Sequence, residues 1–459
     1  MLSPRRIELG STMIKNPFMH LKNCCLPVMV IVLAAWQCTA QPAPTLNSTI
    51  RKQVIDSIAN AVRAYYVYPD KGRQMSLQIQ QRFRKGAYDL LSDPRDLSLA
   101  ITNDLRALQP DNHLAVRYDP DLERRIRTFK TTLQKDKSEL EAEQKQNFFF
   151  RKVEILQGNI GYILFTNFSD TNEMARKTVR ASMQFVAHAD ALILDLRNNF
   201  GGRMEMAREL AAWFFEQPTF VGRSFNRINN SWTEDWVGHQ PAISEGLLPS
   251  MPIYILTSNR TYSAAESFAY TLQHQKNALV IGDTTRGGAH ATRSFALGNG
   301  FVGFIPFSRS ENVLTKTDWE GTGIIPDVTI DEDSALLKAQ MLILEQRWSA
   351  IADEAEKRKL RWIINDLKTQ MQKITLAEKV LQTYTGTFEE FEFTLENGIL
   401  FCRNTHQRNK KDRLIPIDHN LFRIDNESQV EFIKANGRVD SIRLFWNDGW
   451  VDTIRRSQR

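Results

Sequence analysis

Apolar positions along the chain change their spacing several times, and each change predicts a different kind of element. From residue 46 to about 108 they recur at three and four residues, broken at "YPDKG" and "SDPRD", which predicts a small helical unit over 46–110. The stretch "PDNHLAVRY" follows, a turn leading into an apolar strand. Residues 119–146 form a charged run, expected as a solvated helix or excursion. The middle then alternates. "GNIGYILFTNF" and "DALILDL" are short apolar strands, "RMEMARELAAWFF" is an amphipathic helix, and "NRINNSWTEDWVGHQPA" is expected as a loop. Strand "PIYILTS", helix "AAESFAYTLQHQ" and strand "NALVIGD" repeat the rhythm. Strands alternating with helices predict an α/β core over 111–330, a sheet covered by helices, with ligand loops near the strand ends. Residues 331–383 read as a charged helical linker. From 384 to 459 short alternating strands with "ENG", "ANG" and "NDG" turns predict a small antiparallel β domain with an aromatic core of its own.

The first forty residues stand apart. Lys15 and Lys22 precede "CCLPVMVIVLAAW", which gives way to "CTAQPAPT". A basic start, a short apolar run and small residues predict a signal peptide over 1–40, cut after Ala40. The run is shorter than the roughly 20 residues a spanning helix needs. The expectation is therefore an exported protein, periplasmic or extracellular, with no integral membrane span after cleavage. Cys24, Cys25 and Cys38 leave with that segment, so only Cys402 remains, excluding an intrachain disulfide and a cysteine metal cluster. Cleavage also removes a net three positive charges from the formal +6, leaving too little to argue for nucleic acid. With 42% hydrophobic and 24% charged residues, disorder and a polytopic membrane class are both disfavoured.

No G-x-S-x-G, H-E-x-x-H, Walker A or C-x-x-C sequence occurs, so any chemistry needs other parts. Ser263, in "TYSAAESFAY", has a plain structural reading: with Glu266 it spells the capping box S-x-x-E. A catalytic serine needs more: a base within reach, a group to orient that base, and two donors for the oxyanion. Ser263 follows a strand and opens a helix, so the amide of Ala264 points toward it. A second donor could come from "RNNFGG", where Gly201 and Gly202 allow a close backbone approach. Beyond residue 40 the histidines are His113, His188, His239, His274, His290, His406 and His419. His113 and His290 lie in loops beside strands of the α/β part, and chemistry alone leaves both open as the base.

Four ordered segments, "LILDLRNNFGG", "ILTSNRTYSAAESFAYTLQ", "VIGDTTRGGAH" and "TDWEGTGIIPDV", resemble those of the tail-specific, or C-terminal-processing, serine peptidases. With "DNHLAVRY" and the helices before it, the likeness runs from about 46 to 330. Family members that use a serine–lysine pair carry the lysine after "GETT-x-G"; the matching position here is Gly288. The chain instead resembles the branch typified by the tricorn core protease and interphotoreceptor retinoid-binding protein, where a D-G-H-like motif supplies a histidine. That motif reads Asp111, Asn112, His113, with Asn for the usual Gly. The resemblance implies a crotonase-like ββα superfold, Ser263 as nucleophile, His113 as base and Glu320 as the carboxylate supporting it. It implies oxyanion donors on Ala264 and on Gly201 or Gly202. Asp195 and Arg197 read as scaffold. Arg286 is either a cation for a substrate carboxylate or a solvated loop residue. The 119–150 segment is too short and too charged for a PDZ domain. Peptide or protein substrates are implied, with no metal or cofactor. The competing class is a binding protein for apolar ligands or peptides on the same fold.

Overall fold

The computed structural model describes residues 46–128, 137–238, 246–371, 373–406 and 410–457, which belong to one unit, Pro44–Arg459. The expected signal peptide, with its three cysteines, and His239 lie outside the described residues.

The N-terminal helices form where their start signals predict. Helix α1 (Ser48–Tyr65) is capped by Asn47, α2 (Pro69–Arg84) opens on a proline, and α3 (Pro94–Leu108) is capped by Asp93 ahead of Pro94. Strand β1 (Ala115–Tyr118) follows the Asp111–His113 turn. The charged run folds as helices α4 (Pro120–Thr128) and α5 (Lys137–Lys145).

A six-stranded sheet carries the α/β core. Its strands are β2 (Phe150–Leu156), β3 (Ile160–Phe165), β4 (Ala191–Asp195), β7 (Ile253–Thr257), β8 (Leu279–Gly282) and β11 (Val328–Thr329), in the order β11-β8-β7-β4-β3-β2. All pairs are parallel except β2 with β3. Every residue of β4 and of β7 is buried, as a parallel strand with both faces covered demands. Neighbours along β4 face opposite cores. Leu192 and Leu194 meet helices α6 (Glu173–Phe185), α7 (Met204–Ala211) and α8 (Ala264–Lys276), while Ala191 and Ile193 meet α9 (Glu332–Ala350) and α10 (Glu354–Met371). The helices expected as a linker over 331–383 thus cover the second face of the sheet.

A second, antiparallel sheet is made of β1, β5 (Thr219–Asn226), β6 (Ser231–Val237), β9 (Ala291–Gly298) and β10 (Phe301–Asn312), with β10 pairing β1, β5 and β9. Here the loop reading of "NRINNSWTEDWVG" needs correction: Ser231–Val237 is a strand paired with β5. Its alternation is hard to see in the sequence because the hairpin lies on the surface, with Trp232 and Trp236 themselves exposed. Helices α1 to α3 pack on β1, β9 and β10 through Ile55, Ile58, Ile101, Val116 and Phe301. Past residue 385, two antiparallel sheets enclose Phe388, Phe393, Phe422, Phe432 and Tyr384, and Cys402 is buried there without a disulfide.

Candidate active site

Ser263 sits between the end of β7 and the first turn of α8, and its backbone is unlike that of any ordinary cap. Asn47, Asp93, Asn172 and Asp331 begin their helices with negative φ and positive ψ, and each side chain accepts a first-turn amide. Ser263 has φ 56° and ψ −119°. A non-glycine residue there costs on the order of 1–3 kcal/mol and persists only where its surroundings impose it.

The surroundings do impose it, through Glu266. The glutamate half of the capping box forms, its carboxylate accepting the Ser263 amide at 2.8 Å. The same carboxylate accepts the amides of Gly287 (2.7 Å) and Gly288 (2.8 Å) and the Thr285 hydroxyl (2.5 Å), and it is fully buried. Burial pushes the Glu266 pKa up, against the pull of these four donors. The residue that looked like a helix cap therefore joins the serine turn to the loop after β8.

His113 approaches the serine turn from the end of the second sheet. Its ring stacks on Tyr262, the residue before Ser263, with centroids 4.5 Å apart. The turn holding it is tied down on both sides. Asp111 Oδ1 accepts the His113 amide (3.0 Å), and Asn112 Nδ2 donates to the carbonyls of Arg286 (3.1 Å) and Gly287 (3.3 Å). Asn112 thus uses its side chain to clamp the turn to the loop that Glu266 also holds. Burial drives the His113 pKa down to about 4, against the opposing charge of Asp111, so the imidazole is neutral at pH 7.

Position 288 is filled from outside. A Cβ on Gly288 would stand 2.2 Å from Tyr262 Cε2 and 2.7 Å from His113 Cε1. The two stacked rings occupy the room that a lysine at this position would need.

Two carboxylates flank the histidine. Glu320 Oε2 accepts the amides of Ala289 (2.6 Å) and His290 (3.2 Å), while Oε1 is buried without a partner, as is His113 Nδ1. Burial and the Asp111 charge raise the Glu320 pKa to about 7. Asp111 accepts Tyr66 Oη (3.0 Å) and pairs with His290 Nδ1 (2.7 Å). Burial alone would raise the Asp111 pKa, but His290 holds it below the usual carboxylate value. His290, the other base open in the sequence, is thus engaged with Asp111. Asp111, His113 and Glu320 offer ligand atoms within 4.8 Å of one another, the one grouping among the described residues that could gather a cation.

The glycine loop lies against the serine. A Cβ on Gly201 would stand 2.9 Å from Ser263 Cβ and 3.0 Å from the Ala264 nitrogen, which its φ of 94° also discourages. The Gly201 amide donates to Asn199 Oδ1 (2.9 Å). The amides of Gly202 and Ala264 find no acceptor among the described residues. Buried Asp195 pairs with half-buried Arg197 at 2.6 Å, with Tyr162 Oη on Asp195 (2.7 Å) and Arg197 Nη1 on the Glu332 carbonyl (2.5 Å), as bracing residues would. Arg286 is exposed, its guanidinium 5.1 Å from the Tyr262 ring centroid. The Asp111–His290–Tyr66 network and the reach of Glu266 went unread in the sequence. Only the D-N-H triplet and the capping box hinted at them.

A strained serine where a parallel strand turns into a helix, with a neutral histidine stacked on the residue before it and unpaired amides on Ala264 and Gly202, has the build of a serine hydrolase site on an α/β sheet. Residues 159–330 match the model of peptidase family S41, and residues 39–157 match the N-terminal domain of peptidase S41 in eukaryotic IRBP. The chain belongs to peptidase family S41. It is 29% identical over 171 residues to the chloroplastic carboxyl-terminal-processing peptidase 2 of Arabidopsis thaliana, covering 37% of this chain and 31% of that one. It spans less than half the length of such curated relatives. Solved structures similar to it include the photosystem II D1 C-terminal processing protease (14% identity, TM-score 0.40, 62% of this chain and 94% of that one). The tricorn protease is another (14%, TM-score 0.41, 65% and 37%).

Proposed function

We propose that the protein is an exported serine peptidase that hydrolyses peptide bonds through an acyl-enzyme on Ser263. The observation that carries this reading is the backbone of Ser263, held at positive φ by a buried carboxylate beside a neutral histidine. Ser263 Oγ attacks the scissile carbonyl while His113 takes its proton. The amides of Ala264 and Gly202 face the developing oxyanion; Gly201, its own amide occupied, shapes the loop. His113 then gives the proton to the leaving amine, and water repeats the sequence on the ester. Glu320 supports the imidazolium: the unsatisfied Oε1 and His113 Nδ1 are a matched acceptor and donor on neighbouring groups. Those two atoms need no cation to explain them.

Export rests on the sequence of residues 1–40. No helix among the described residues is long and apolar enough to cross a membrane. N-terminal sequencing of the protein recovered outside the cytoplasm should begin at Gln41. A fluorophosphonate probe tests the site: the label should fall on Ser263 and weaken at least about 100-fold in His113→Ala. Labelling elsewhere, or labelling indifferent to His113, would overturn the assignment and favour a binding protein on this fold.

A further inference from the structure

Beside the Asp111–His113 turn lies a groove of about 510 Å³ between α3, β1 and the loop after β8, and four arginines line it: Arg95, Arg106, Arg117 and Arg286. No aspartate or glutamate lines it, and none of the four is paired with a carboxylate among the described residues. Other arginines of the chain, among them Arg82, Arg176, Arg197, Arg208, Arg260 and Arg423, sit on carboxylates.

Three of the four guanidiniums are held in place by groups other than carboxylates. Arg106 donates to the carbonyls of Leu114 (2.8 Å) and Asn112 (2.8 Å), Arg117 lies 4.9 Å from the Phe304 ring centroid, and Arg286 lies over Tyr262. Positive charge is thus fixed in advance, and less side-chain freedom is lost on binding an anion. Arg95 and Arg106 share one face of α3, eleven residues apart, so the groove is roughly 16 Å long at 1.5 Å per helical residue. That is the length of about five extended residues. Its inner end, at Arg106 and Arg286, abuts the turn that carries His113 and the loop that Glu266 ties to the Ser263 turn.

Backbone pairing does not explain the groove. The free edge of β1 is already covered by α3: Thr102 Oγ1 accepts the Val116 amide (2.9 Å) and shares its own proton between the carbonyls of Ser98 (2.8 Å) and Val116 (3.2 Å), and Arg106 takes the Leu114 carbonyl. A chain lying here cannot add as a strand over this stretch, which leaves side chains to supply the recognition.

We infer that this groove selects polypeptide substrates carrying acidic side chains within about five residues of the scissile bond on one side. The inference rests on the reading of Ser263 as a peptidase nucleophile, but its test does not require turnover. Residues 41–459 bearing Ser263→Ala are titrated with a fluorescent peptide that contains four glutamates, its glutamine counterpart, and the glutamate peptide with an amidated C terminus. The glutamate peptide should bind about tenfold tighter than the glutamine peptide at low salt. The advantage should shrink in about 0.5 M NaCl, where exposed charges are screened within a few ångströms, and fall to near unity in Arg95→Gln/Arg117→Gln. Both arginines are exposed, so the fold should survive, and Arg95→Glu alone should reverse part of the preference. Equal binding of the two peptides, or a preference untouched by the arginine variants, would overturn the inference. So would loss of the preference on amidation, which would make the ligand a chain terminus. A wild-type protein that cleaves nothing, alongside a salt-sensitive glutamate preference, would sink the peptidase reading and leave the groove's specificity standing.

Discussion

Replacing Gly288 with alanine adds one methyl group at the point where His113, the proposed base, meets Tyr262 beside the proposed nucleophile. The new Cβ would lie 2.2 Å from Tyr262 Cε2, 2.6 Å from its Cζ and 2.7 Å from His113 Cε1. Ordinary carbon contacts begin near 3.4 Å, so the rings must withdraw by about 1 Å. They are stacked on each other, and neither can retreat alone. The backbone at 288 is not in the left-handed region and its amide can still reach Glu266, so the effect is steric. Overpacking of this kind costs about 1–3 kcal/mol of stability, and a 1 Å displacement of a catalytic group costs about 100-fold in rate. We expect Gly288→Ala to lower kcat about 100-fold against a peptide substrate while its denaturant midpoint falls only modestly. A variant with kcat within about twofold of wild type would refute His113, stacked on Tyr262, as the base.

The pH profile carries a second expectation. Glu320, raised to about 7, loses its charge as pH falls through that value, whereas His113, held to about 4, is still neutral. If the carboxylate supports the imidazolium, kcat/KM is full above pH 7 and declines below it, and Glu320→Gln lowers the plateau and leaves only a limb near pH 4; an acid limb near 7 that persists in Glu320→Gln would assign it elsewhere. Glu266→Gln puts an amide where two oxygens accept four donors. Each buried donor left unpaired costs about 1–3 kcal/mol, so equilibrium denaturation should show a loss of at least about 2 kcal/mol together with reduced kcat; a variant as stable as wild type would remove Glu266 from its joining role. Gly202→Ala meets the Phe168 carbonyl at 2.2 Å with φ at 127°. Steady-state kinetics should show kcat down about 100-fold or more with KM little changed, and an unaltered kcat would take Gly202 out of the oxyanion site.

The parallel strands were legible because strands buried on both faces are written as unbroken apolar runs, as "ALILD" and "IYILT" are. Strand β6 was not, because its two tryptophans and its acidic residues face solvent and blur the alternation. Ser263, His113 and Glu320 were named through the resemblance that the ordered motifs carry, and the fold places His113 beside Tyr262 and near Glu320. Asp111 and His290, 179 residues apart, form their bond only because β1 and β9 pair with the same strand, β10. No local pattern announces such a contact. Glu266 was half legible: the capping box gave its bond to Ser263, while its three other donors arrive from a loop some twenty residues on.

The central claim is that Ser263 is the nucleophile of a peptidase. Mass spectrometry of an unstructured protein incubated with residues 41–459, beside the same protein carrying Ser263→Ala, tests it most directly. The account predicts discrete new peptide termini with the first and none with the second. Termini produced equally by both, or by neither across several substrates and pH values, would contradict it.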